Sequence, residues 1–139
     1  MSEAKRDRDR ATEAFRRWAR AGCPGADEIK NGRGSEICQR QTPEVRAKRE
    51  SSAEDLRACA AVFAELESGR GRKNMPREEI ADAVRWVYMA DPNKPLHRNE
   101  ITLRARRAAF VLAADERTVY RWLAAARKMW VEYRYKTCQ

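Results

Sequence analysis

The sequence predicts an all-α protein that ends in a helix-turn-helix with a long C-terminal recognition helix. Three observations lead there. Apolar residues recur at three- and four-residue spacing through most of the 139 positions, the period of one helix face. The stretches between them open and close on residues that cap or break helices. Nowhere does apolar–polar alternation run long enough to make a convincing strand.

The first helix is expected from about residue 8 to 21, where Ala11, Ala14, Phe15 and Trp18 share a face. The run Gly22-Cys23-Pro24-Gly25 ends it. Residues 22–41 are polar, carry Asn31-Gly32 and Gly34, and read as a flexible loop. Thr42-Pro43-Glu44 is a helix start, a capping hydroxyl followed by a proline that has no N–H to leave unpaired. Ser52 and Asp55 read as a capping box and so as a second start. The helix beyond it carries Leu56, Cys59, Ala60, Phe63 and Leu66 on one face and stops at Gly69. Residues 69–74 form a flexible basic linker. Pro76 opens the next helix, with Ile80, Ala83, Val84, Val87 and Tyr88 facing inward and Trp86 at the edge. Asp91-Pro92 and Lys94-Pro95 break it, because the residue before proline is pushed out of helical geometry. Two more helices fill the chain from about residue 99 to 135. The expected organisation is an N-terminal helical region over residues 1–74 and a DNA-binding domain over 75–139.

The stretch from Ala108 to Leu123 is the most informative. A helix-turn-helix needs a small residue where its helices cross, and Ala109 stands there, with apolar Leu112 three positions on. Ala113 and Ala114 make the turn, and Asp115 caps the second helix. Ala113 occupies a place where glycine is usual, since the turn favours a left-handed backbone; the misfit costs on the order of 1 kcal/mol. Val119, Trp122, Leu123, Ala126 and Trp130 then face inward. Glu116, Arg117, Tyr120, Arg121, Ala124 and Lys128 form the exposed stripe. Arg117 and Arg121 lie four apart near the helix start, and the planar guanidinium fork suits the O6 and N7 of guanine. Thr118 is placed for a phosphate or a thymine methyl, or for packing on its own scaffold. Arg104 and Arg107 on the preceding helix suit contact with the DNA backbone, fixing register rather than sequence. Arg127 and Lys128 are expected at phosphate as well.

Charge agrees with that reading. Thirty Lys and Arg stand against 21 Asp and Glu, a net +9, which favours a polyanionic partner through counterion release. Nine basic and three acidic residues lie between Ile101 and Gln139, so +6 of the +9 sits in the last 39 positions. The opening MSEAKRDRDR has no apolar core after it, so no secretory signal is expected. The apolar run Ala58 to Ala64 is far too short to span a bilayer. A cytoplasmic protein with no membrane partner follows. Four scattered cysteines with no C-x-x-C pair, and the single His97, give no local half-site for zinc. No paired carboxylates, phosphate loop or nucleophile elbow appears, so no enzyme and no cofactor are expected.

The pattern from Ile101 to Trp130, with Val84-Arg-Trp-Val-Tyr88 before it, resembles the region-4-like helix-turn-helix of sigma factors. It is especially similar to that of small phage late-gene regulators, the late activators and Q-type antiterminators. Phe15-Arg-Arg-Trp-Ala-Arg-Ala21 resembles the Trp-bearing opening helix of the antiterminators. The resemblance implies a sequence-specific double-stranded DNA-binding transcription regulator that acts in the bacterial host cell with RNA polymerase. The alternatives are a DNA-packaging protein like a small terminase subunit, and a non-specific nucleic-acid-binding protein. The apolar end of the last helix (Trp130, Val131, Tyr133, Tyr135) offers a surface for a homodimer or ring.

Overall fold

Every element in the computed structural model, which describes residues 3–29, 42–68 and 76–136, is helical. The expected all-α class is what the chain adopts. Helix α1 (Glu3–Arg20) begins earlier than its apolar face suggests, since Glu3, Ala4, Lys5 and Arg6 are good helix formers with no breaker among them. It closes where expected. Gly22 adopts φ 86°, its N–H bonds Ala19 O at 3.1 Å, and Cys23 N bonds Trp18 O at 2.9 Å. That pair of bonds is the glycine-closed helix end in which the last free carbonyls find donors.

After one 3₁₀ turn (Ala26–Glu28), helix α2 runs unbroken over Pro43–Glu67. Thr42 caps it as expected, its hydroxyl accepting from Val45 N at 3.3 Å. The capping box expected at Ser52 and Asp55 is absent. Asp55 lies inside α2, is 3% exposed, and accepts from Arg10 Nε at 3.2 Å and Arg134 Nε at 2.7 Å. A carboxylate held by two guanidinium groups is charge-balanced where it is buried, so the aspartate bonds across helices rather than opening one. The basic linker and most of the expected loop lie outside the described residues.

Helix α3 (Arg77–Val84) widens into a π turn at Arg85–Met89, with Ala90 N bonding Arg85 O at 2.8 Å. The prolines then end it, and residues 90–97 cross to α4 (Arg98–Val111). A short turn leads to α5 (Glu116–Val131), which also ends in a π turn, Glu132–Lys136. One core joins both ends of the chain. Phe15 of α1 meets Phe63 of α2 edge-on at 6.1 Å between ring centres, Trp18 packs tilted on Phe63 at 4.8 Å, and Phe15 stacks with Tyr88 at 6.4 Å. Val119, Leu123, Ala126, Met129 and Trp130 of α5 close the same cluster. The expected boundary near residue 75 therefore does not separate two cores.

Trp130 is fully enclosed and donates its indole N–H to Asp55 O at 3.0 Å. Tyr133 reaches Glu65 at 2.8 Å. Much of the apolar end of the last helix, expected as a surface for a second copy, is thus used within the chain against α2. Cys59, expected in the core, is completely buried, and burial pushes its thiol well above the ordinary range.

Candidate nucleic-acid interface

The corner between α4 and α5 is built from small residues and two terminal motifs. Ala105, Ala108 and Ala109 are buried on α4, so little side-chain bulk separates the helix from Val119 and Leu123 of α5. Ala113 takes φ 52°. Its N–H points to Phe110 O at 3.4 Å, and Ala114 N bonds Ala109 O at 2.9 Å, the same closing pattern as at Gly22. Here an alanine occupies the left-handed position, which disfavours a Cβ. Ala113→Gly is therefore expected to stabilise the protein by about 1 kcal/mol, read as a higher urea midpoint. An unchanged or lower midpoint would contradict a strained turn.

Asp115 caps α5, its carboxylate accepting from Thr118 N at 2.7 Å. That backbone bond, a bond from the Thr118 side chain, and the nearby Arg121 and Arg117 hold the carboxyl below its ordinary range. Thr118 is thus engaged with its own helix start. Glu116 is exposed and pairs with Arg106 Nε at 3.1 Å, tying the first turn of α5 to α4.

Beyond the cap, the exposed face of α5 carries Arg117, Tyr120, Arg121, Ala124 and Lys128, as the periodicity predicted. Arg107 is exposed on α4. No side-chain hydrogen bond or ion pair joins Arg107, Arg117, Arg121 or Lys128 to another of the described residues. Several other arginines are engaged: Arg20 with Glu13 at 2.8 Å, Arg85 with Glu67 at 2.7 Å, and Arg134 with Glu54 at 3.0 Å.

Two expected contacts are corrected. Arg104 is 4% exposed, and it faces the interior with Ala105 and Ala108. Its guanidinium donates to Glu100 Oε1 at 3.0 Å, Val87 O at 3.1 Å, Asp91 O at 3.4 Å and to Ala90 O. It satisfies carbonyls at the open end of the α3 π turn and cannot reach a phosphate. Arg127 is half-buried and donates to the Tyr88 hydroxyl, so it faces the seam between α5 and α3 rather than the outer stripe.

Sequence reasoning missed a second clamp. Arg16 is 5% exposed and donates to Tyr88 O at 3.4 Å, Pro92 O at 3.1 Å and to Lys94 O. With Arg20 on Pro92 O at 3.1 Å, it fixes the 90–97 segment against α1. Also unforeseen is an apolar strip on the outside of α4, where Leu103, Phe110 and Val111 are 41%, 90% and 53% exposed. Its only signal in the sequence is that these residues fall off the alanine-marked buried face.

Among the described residues no group of His, Cys, Asp and Glu is placed to hold a metal ion, and no helix is long and apolar enough to cross a membrane. No protein-family model matches the chain, no curated protein matches it, and no solved structure matches it.

Proposed function

We propose that the chain is a sequence-specific double-stranded DNA-binding protein, in which α4, the Ala113 turn and α5 act as a helix-turn-helix with α5 in the major groove. The carrying observation is the stripe of Arg117, Arg121 and Lys128 on a capped, well-anchored helix, whose side chains make no hydrogen bond or ion pair among the described residues. Cations left without internal ion pairs are available to phosphates and base edges. Arg117 and Arg121 read guanine by bidentate bonds, Lys128 and Arg107 hold the backbone, and Tyr120 and Ala124 shape the contact surface. Glu116 accepts from cytosine N4 only if it leaves Arg106. The biological role that fits is transcription regulation of the phage late-gene type, with RNA polymerase as the protein partner.

Binding of the purified chain to duplex fragments from its own locus, across a range of salt concentrations, tests this. One fragment should be retained at salt that releases the rest. Equal release of every fragment would leave charge alone as the cause and remove major-groove reading from the account.

A further inference from the structure

The outer face of α4 is left uncovered by the described residues. Leu103, Arg106, Arg107, Phe110 and Val111 are all exposed, at the three- and four-residue spacing that aligns side chains along a helix. Phe110 is 90% exposed, although an aromatic ring gains more than most side chains from leaving water. Single apolar side chains at a surface are ordinary, but three along two turns of one helix form a strip. Its charge says what kind of surface answers it. Arg106 and Arg107 stand between Leu103 and Phe110, and the strip has no carboxylate of its own. Glu100, the one acidic residue of α4, is held by Arg104 at 3.0 Å and Lys94 at 3.4 Å. Arg106 meets Glu116 at 3.1 Å, yet 65% of its side chain stays exposed.

A second copy of the chain laid on the same strip would set arginines against arginines, a repulsive arrangement across an interface. A phosphate backbone would answer the arginines and leave three apolar side chains against charged oxygens. A surface that is both apolar and acidic answers both. From this we infer that the outer face of α4 docks a protein partner through an acidic amphipathic helix. Leu103 to Phe110 spans about 10 Å, the reach of apolar anchors at i, i+3 or i+4, and i+7. Leu103, Phe110 and Val111 take the anchors, and Arg106 takes a carboxylate beside them. Arg107, which the DNA reading assigns to the backbone, adds only its charge. A strip of this size makes a weak, reversible contact rather than an obligate one. It is separate from the α5 stripe, so the inference stands whether or not α5 reads DNA.

The probe is a labelled synthetic helical peptide of about 15 residues, with leucines at i, i+4 and i+7 and glutamates over the rest of its surface. One control peptide has lysine in place of every glutamate. The other keeps the acidic composition but scatters the leucines so that they share no face. The full chain should bind the first peptide and neither control. Leu103→Gln/Phe110→Gln changes no charge and keeps good helix formers at exposed sites, so it should retain the wild-type Tm. Its affinity for the peptide should fall roughly tenfold or more, with duplex binding unchanged. No binding of the first peptide, or equal binding by the variant, would overturn the inference. Equal binding of either control would leave charge alone or apolar contact alone as the cause, and would overturn it too. If sedimentation shows a wild-type dimer and a monomeric variant, a second copy covers the strip and the inference falls. It falls also if the variant loses duplex affinity, since DNA then covers the strip. Duplex binding without peptide binding removes this inference alone, and peptide binding without duplex binding removes the α5 reading alone.

Discussion

Arg104→Ala is expected to lower stability by about 3–5 kcal/mol and to drop Tm by 10 °C or more, on the order expected for a chain of this length. The substitution strips three carbonyls of their donor, on Val87, Ala90 and Asp91, at the point where the α3 π turn meets the connecting segment. Asp91 sits there at φ 47°, a left-handed conformation that the surrounding bonds must hold. It also leaves Glu100 without its arginine. Lysine should not rescue, because one ammonium lacks the planar fork that spans several acceptors. Arg107→Ala is the control on the same helix. Being exposed, it should leave Tm unchanged and weaken DNA binding alike on every sequence. A variant at Arg104 with wild-type Tm and reduced DNA affinity would return Arg104 to the DNA surface and contradict its buried role.

Trp130→Ala should have a similar cost, about 3–5 kcal/mol. The ring is fully enclosed, meets Tyr135 edge-on at 6.1 Å, and ties α5 to α2 through Asp55 O. Removing it leaves a cavity that flanking helices can fill only in part. Trp130→Phe separates the contributions: it keeps most of the apolar volume and loses the indole donor, so it should cost less than half as much. The check is urea unfolding followed by circular dichroism. Because α5 is the element that Trp130 anchors, the alanine variant should also lose DNA binding at temperatures where the fold is still populated. A wild-type urea midpoint in the alanine variant would mean that α5 is not seated on α2 in the way described.

The ends of the helices were legible because capping is local chemistry. Thr42, Gly22, Ala113 and Asp115 each announce a backbone geometry that depends on neighbours within five residues, and the structure has all four. The exposed stripe of α5 was legible for the same reason, since the inward set Val119, Leu123, Ala126 and Trp130 fixes it. Asp55 was misread because Ser-x-x-Asp is the same string whether it opens a helix or buries an ion pair. What decides between them is Arg10 and Arg134, which lie 45 and 79 positions away. Arg104 and Arg107 were alike by residue type, and both were assigned to phosphate. The distinction was available in principle: Arg104 falls beside Ala105 and four residues before Ala108, on the buried face, whereas Arg107 falls beside exposed Arg106. Carbonyls in and just after the π turn at residues 85–89, on Val87, Ala90 and Asp91, give that buried arginine its partners, and a π turn leaves little trace in periodicity.

The central claim is that the outward face of α5 reads base pairs, and the most direct measurement is the ratio of affinities for a preferred and a scrambled duplex in Arg117→Ala and Arg121→Ala. Both side chains are exposed and without internal bonds among the described residues, so Tm should match wild type. Each substitution removes a bidentate contact with a discrimination of about 1–3 kcal/mol. The ratio should therefore fall by roughly 5- to 150-fold for the arginine that reads a guanine, while binding to the scrambled duplex weakens only slightly. A ratio that stays at its wild-type value in both variants, with DNA still bound, would contradict the account.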